Sequence, residues 1–193
     1  SNEVINIEEI IDSQVLITTD TSSFKLNCNN VSDFPGIDLE FTNSPLLLDQ
    51  KVFKTTINQT IFATSTQESR PILTGINFKI SENIMEVTAT DSYRLSKKRI
   101  TLDNKVEDNV DLIIPNRNLS EIIKLMNDDD IKIELHIFTN KVIFKVNNLI
   151  IMTRLINGNY PDTNKLIPND FELKIKVNLN NLFNAIDRAS LLT

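Results

Sequence analysis

Side chains able to do covalent or metal chemistry are scarce in this 193-residue chain, which has one histidine, one cysteine and no tryptophan. His136 sits in the run Ile131-Lys132-Ile133-Glu134-Leu135-His136-Ile137. The odd positions form an apolar strand face, which leaves His136 on the opposite, solvent-facing side with Lys132 and Glu134. Without a second histidine or clustered cysteines, neither a metal centre nor a histidine-activated nucleophile has its parts. Cys28, read as lying in a strand without a basic neighbour, is expected to be inert. A lone cysteine also excludes a disulfide framework and a thiolate zinc cluster, and it suits a reducing cytoplasm. Asp128-Asp129-Asp130 reads as a solvated turn after a helix, because the alternating ligands and glycine of a calcium loop are missing. Glu8, Glu9 and Asp12 read as a solvated face. Gly36, Gly75 and Gly158 are too far apart to cradle a phosphate. The expectation is no catalytic residues, no cofactor and no metal.

Two polar segments are more distinctive. Ala89-Thr90-Asp91-Ser92-Tyr93-Arg94-Leu95 joins two strands, with Asp91 placed to satisfy loose backbone N–H groups. Arg70-Pro71-Ile72-Leu73-Thr74-Gly75 reads as a helix exit into a strand, Pro71 ending the helix and Gly75 marking a bulge. Taken locally, both are ordinary turns.

The elements that must hold these turns are mostly strands. Stretches rich in Ile, Val, Thr and Phe predict strands over 14–19, 24–27, 72–80, 84–90, 110–114, 131–138, 142–146, 149–155 and 173–177. Thr139-Asn140 and Asn147-Asn148 stand where two-residue hairpin turns belong. Three segments have helical period instead. Phe53, Ile57 and Ile61 follow an Asp49 cap and leave Lys51, Lys54 and Gln59 on other faces. Ile122, Ile123, Leu125 and Met126 follow an Asn118 cap with Glu121 three residues on. The third helix runs from about Leu179 through Leu182, Phe183 and Ile186. Strands and helices do not alternate regularly, so the class is α+β rather than doubly wound.

Hydrophobic content of 40% and charged content of 24% are those of a globular chain. No apolar run approaches the roughly 18 residues of a membrane span; the best, Leu149 to Met152, is cut off by Arg154. The start lacks the layout of a secretory signal. A net charge of −6 and a pI near 4.9 are the wrong sign for a surface that grips phosphates everywhere, so a nucleic-acid role needs local basic patches.

An aromatic-proline turn occurs as Asp33-Phe34-Pro35-Gly36-Ile37-Asp38 and again as Asn159-Tyr160-Pro161-Asp162, the prolines lying 161 − 35 = 126 residues apart. A strand and an amphipathic helix follow each: Phe53, Ile57, Phe62 and Thr64 match Leu182, Ile186, Leu191 and Thr193 at a spacing of 129. Two features in the same order predict a domain-sized repeat. Residues 1–46 are then the end of one unit, 47–170 a complete unit and 171–193 the opening of a third, broken off inside its first helix. Ser1-Asn2 reads as an expression scar, and the whole as an excised or incomplete piece.

In order, Glu68-Ser69-Arg70-Pro71-Ile72-Leu73-Thr74-Gly75, Ala89-Thr90-Asp91-Ser92-Tyr93-Arg94-Leu95, Ile114-Pro115-Asn116-Arg117 and Gly158-Asn159-Tyr160-Pro161-Asp162 with Ile167-Pro168 resemble the beta subunit of bacterial DNA polymerase III, the sliding clamp. The resemblance covers essentially the whole chain. It implies the DNA-clamp fold, in which each domain packs two helices on antiparallel sheets, with helices lining a hole and sheets outside. The three segments would be the C-terminal part of the first domain, the middle domain and the start of the third. It also implies a non-catalytic processivity factor: a head-to-tail homodimer ring around duplex DNA that tethers the polymerase. With both outer domains incomplete, this piece alone is not expected to encircle DNA. Weak, sequence-independent phosphate contacts suffice for sliding, and Lys51, Lys54, Arg117 and Lys124 on the middle helices are the candidates. Each equally reads as a solubilising surface charge.

Partners implied are double-stranded DNA, the replicative polymerase subunit, the clamp loader, repair polymerases and mismatch-repair proteins, with no membrane. Short linear motifs from these proteins would dock in a pocket walled by Leu73, Thr90, Ser92, Tyr93, Arg94, Leu95, Pro161, Lys165 and Leu166. Leu73, Leu95, Pro161 and Leu166 would give apolar contact, Arg94 and Thr90 polar fixing, and the third domain the remaining wall. A β-rich repeat module that binds other proteins without touching DNA is the alternative. A hydrolase built on carboxylate pairs lacks a nucleophile or phosphate loop beside them.

Overall fold

The computed structural model describes residues 4–191 apart from 11, 12, 37, 38, 43, 128, 129 and 169. Among the described residues, three antiparallel sheets and three α-helices make up an α+β fold. Strands β1 (Asn6–Ile10), β2 (Gln14–Thr18) and β3 (Ser23–Asn27) form a meander by themselves. Strand β4 (Leu46–Asp49) then leads straight into helix α1 (Gln50–Asn58). Strands β5 (Gly75–Ser81), β6 (Ile84–Thr90), β7 (Leu95–Thr101) and β8 (Val110–Pro115) form a sheet in the order β7-β6-β5-β8. After helix α2 (Asn116–Lys124), strands β9 (Lys132–Ile137), β10 (Lys141–Val146) and β11 (Leu149–Arg154) join β4 in the order β11-β10-β9-β4. Helix α3 (Leu179–Ser190) comes last.

The main core lies where α1 and α2 cover both four-stranded sheets. Phe53 of α1 explains how: its ring lies 6.5 Å from that of Phe78 on β5 and 5.6 Å from that of Phe144 on β10, so one side chain ties a helix to both sheets. Ile57, Leu119 and Ile122 fill the space beside it. Ile156 N–H donates to the Ile113 carbonyl at 2.9 Å, joining the chain beyond β11 to the edge of β8. A smaller cluster of Leu73, Ile113 and Tyr160, flanked by Ile72 and Ile156, sits apart from the main core.

Asp49 caps α1 as expected, accepting from Val52 N–H at 3.0 Å, and Asn178 caps α3 in the same way through Asn181 N–H. The caps are 178 − 49 = 129 residues apart, so the helix starts keep the spacing read from the sequence. Both two-residue hairpin turns are present, with Asn147 at φ +51°. Among the described residues no helix is long and apolar enough to cross a membrane.

Several expectations are corrected. His136 is only 2% exposed, because residues 41–42 cross over the outer face of its sheet: the Phe41 ring lies 4.8 Å from the imidazole, and Thr42 N–H donates to Nδ1 at 3.1 Å. Asn118 does not cap α2, which begins two residues earlier; its amide instead donates to Thr153 Oγ1 at 2.6 Å. Residues 71–74 are a 3-10 turn rather than strand, since Pro71 has no N–H for a ladder and Thr74 Oγ1 donates back to the Pro71 carbonyl at 2.7 Å. Gly75 is no bulge but a regular partner of Pro115, where a Cβ would stand 2.5 Å from Ile113 Cγ2. Residues 173–177 form no strand, because no described strand lies beside them to complete a ladder. Cys28 is exposed just past the end of β3. Strand β1 was not foreseen, and β7 was expected only as the second of the two strands joined by residues 89–95, without a range of its own. Ser1, Asn2, Asp12, Ile37, Asp38, Asp128, Asp129 and Thr193 lie outside the described residues.

Candidate functional site

A groove of about 420 Å³ opens beside the smaller core, lined by Ser69, Arg70, Pro71, Ile72, Leu73, Ser92, Asn159 and Pro161. Its three walls come from distant parts of the chain: the 3-10 turn Pro71–Thr74, the β6–β7 turn at 91–94, and the segment around Asn159. Apolar side chains with a few polar groups at the edge suit an extended peptide better than a small polar substrate.

The β6–β7 turn is closed by its own hydrogen bonds. Asp91 Oδ1 accepts from the N–H groups of Tyr93 and Arg94, both at 3.0 Å, while Oδ2 accepts from Arg94 Nε at 3.0 Å. The Arg94 N–H foremost, then that of Tyr93, holds the Asp91 carboxyl below its ordinary value. Thr90 Oγ1 donates to the Arg94 carbonyl at 2.7 Å and accepts from Ser92 N–H at 3.2 Å. Ser92 consequently has φ +80°, an uncommon conformation for a residue with a Cβ. Arg70 Nη1 donates to Ser92 Oγ at 3.2 Å, linking this turn to the opposite wall.

Of the residues the sequence singled out, Leu73, Ser92 and Pro161 line the groove. Thr90 is buried behind the turn, opposite half-buried Leu95 in the ladder. Tyr93 stands at the tip of the turn, 96% exposed. Arg94 is not among the lining residues, and its guanidinium lies 5.7 Å from the centroid of the Phe62 ring. Lys165 and Leu166 are exposed on the next 3-10 turn, Asn164–Leu166, which Lys97 holds by donating to Asn164 Oδ1 at 2.7 Å. Missed as site residues were the lining residues Ser69, Arg70, Pro71, Ile72 and Asn159 and the supporting residues Lys97 and Tyr160. All of them but Lys97 stand inside the motifs that were quoted. Lys97 had no local signal.

Tyr160 lies under the groove, 8% exposed, and its hydroxyl accepts from Thr90 N–H at 3.0 Å. Burial pushes its phenol up from the ordinary value.

The four basic candidates fall on two adjoining helices, and the structure separates them. Lys51 and Arg117 are exposed. Lys54 Nζ donates to the Met126 carbonyl just past the end of α2 at 3.2 Å, and Lys124 pairs with Glu121 at 2.8 Å. A second groove, of about 840 Å³, lies between Pro35, Gly36 and the β9–β10 hairpin, and contains none of the predicted site residues.

A family model described as the central domain of the DNA polymerase III beta subunit matches residues 47–162. The beta sliding clamp of Streptococcus pneumoniae serotype 4 is 40% identical over 190 residues, 98% of this chain and 50% of that protein. That of Staphylococcus epidermidis is 41% identical over 179 residues, 93% and 47% of the respective chains. The solved DNA polymerase sliding clamp of Bacillus subtilis superposes with a TM-score of 0.92 at 35% identity, covering 98% of this chain and 50% of that one. The chain spans about half the length of the curated relatives it matches.

Proposed function

The chain belongs to the DNA polymerase III beta-subunit family, the beta sliding clamps, and from that premise we propose that it is the docking part of a non-catalytic processivity clamp. In this reading residues 1–46 end a first clamp domain, 47–170 form the middle domain, and 171–193 open a third. The complete protein closes as a homodimer around duplex DNA in the cytoplasm and carries no active site of its own. The replicative polymerase subunit, the clamp loader, repair polymerases and mismatch-repair proteins dock by short linear motifs. A closed ring holds its partner near the template by topology, so dissociation is followed by rebinding at high local concentration.

The groove over Leu73 carries this reading. It is a preformed apolar slot in a turn-closed frame, with Tyr93 presented beside it as an exposed aromatic anchor. The acidic net charge is compatible with sliding, because exposed Lys51 and Arg117 on α1 and α2 supply weak phosphate contacts without a strongly basic surface.

Docking is tested by NMR titration of this chain with a synthetic peptide carrying the polymerase subunit's clamp-binding motif, a method that reads dissociation constants into the millimolar range. Saturable shifts at Leu73, Ser92 and Tyr93 are expected. Leu73→Asp, which puts a charge into the groove floor, should weaken binding at least tenfold, about 1.4 kcal/mol, and Arg94→Ala should weaken it less. No saturable shift at these residues would overturn the docking reading. Topology is tested on the complete protein, loaded on nicked circular DNA at a salt concentration that strips simple phosphate binders. Retention should vanish when the circle is linearised.

A further inference from the structure

We infer that Tyr160 is the positioning residue of the groove: its phenol holds the β6–β7 turn against the other two walls, so that the docking surface exists before a peptide arrives. The inference rests on the docking reading above. Three observations lead to it. Tyr160 is packed with Leu73 and Ile113, the wall and support of the groove, so its ring cannot swing out without opening that small core. Its hydroxyl accepts from the backbone N–H of Thr90, the last residue of β6, and Thr90 in turn fixes Ser92 N–H and the Arg94 carbonyl through Oγ1. One phenol oxygen thus joins the 159–161 wall to a turn that contains a residue at φ +80°.

The chain holds its own comparison. At the other aromatic-proline turn the aromatic is Phe34, which has no hydroxyl and is exposed. The oxygen is present where a buried amide needs an acceptor.

Tyr160→Phe removes that oxygen and keeps the ring. Thr90 N–H then loses its acceptor in a buried site, and the strained turn can regain its partner only by leaving the docking geometry. Binding must restore that geometry, so the affinity for the motif peptide is expected to fall roughly fivefold to thirtyfold, the equivalent of about 1 to 2 kcal/mol. Hydrogen exchange of the Thr90 and Ser92 amides should accelerate, while amides of β10 keep their protection.

The control is Val142→Ala in the far sheet, where Val142 is fully buried. It lowers Tm by cavity formation without touching the groove, and it should leave the peptide dissociation constant at the parent value. Equal affinity of Tyr160→Phe and parent, or an equal loss in Val142→Ala, would overturn the positioning role. If the parent chain binds no peptide, the docking reading fails, and the exchange comparison at Thr90 still decides whether Tyr160 holds the turn.

Discussion

Gly158→Ala is the substitution whose cost the structure specifies most closely. Gly158 has φ +137°, a backbone region open to glycine and closed to residues with a Cβ, and an added Cβ would stand 2.7 Å from Ile72 Cδ1 and 3.2 Å from Ile72 Cγ1. The backbone contribution is about 1–3 kcal/mol. Displacing the end of Ile72 from its rotamer adds about 0.5–1.5 kcal/mol, for a total of about 1.5–4.5 kcal/mol. With a urea slope of about 2 kcal/mol per molar, the midpoint should fall by about 1–2 M. Ile72 lines the groove, so the same change should also weaken the motif peptide. The internal reference is Gly36→Ala, where an added Cβ meets nothing within 4 Å and the expected change is within about 0.5 kcal/mol. Urea unfolding of the two variants beside the parent is the assay. A Gly158→Ala midpoint indistinguishable from the parent, or a Gly36→Ala loss of equal size, would show that position 158 carries no such constraint.

Two further outcomes follow from the turn and from the buried histidine. Because backbone N–H donation holds the Asp91 carboxyl below its ordinary value, its contribution is complete above the ordinary carboxylate range and is lost as pH falls through the lowered value. Peptide binding should therefore be flat from pH 7 to 5 and decline below pH 4. An Asp91 carboxyl that titrates by NMR at or above the ordinary value would contradict this. In the second, Thr42 N–H donates to His136 Nδ1, so the proton sits on Nε2 and faces Glu134 Oε2 at 3.2 Å. His136→Ala removes both contacts and the Phe41 ring contact, and should cost about 1–3 kcal/mol in urea unfolding, with faster proteolysis near residues 41–42. A variant as stable and as protease-resistant as the parent would show that the imidazole does not hold this segment.

Local pattern was enough wherever the physical cause was local. The hairpin turns at 139–140 and 147–148, the Asp49 cap and the Asn178 cap all depend on neighbours within a few positions. Strand β7 was implied by the turn at 91–94 but could not be given bounds, because Ser96, Lys97, Lys98 and Arg99 lack an apolar alternation, whereas charged side chains are normal on a strand at the edge of a sheet. Residues 173–177 failed in the opposite sense: their alternation is right, but a strand needs a partner ladder as well as a pattern.

The groove divides along the same line. Motif order alone was enough to bring Leu73, Ser92 and Pro161 forward and to indicate a clamp-family chain with an α+β fold, because those residue types and their order are properties of the chain itself. Which groups carry the site was decided in three dimensions. His136 became a buried acceptor through a contact 94 residues away, and Tyr160 became the support of the Thr90 turn through one 70 residues away. Periodicity describes which face a side chain takes, and only the packed structure determines what covers that face.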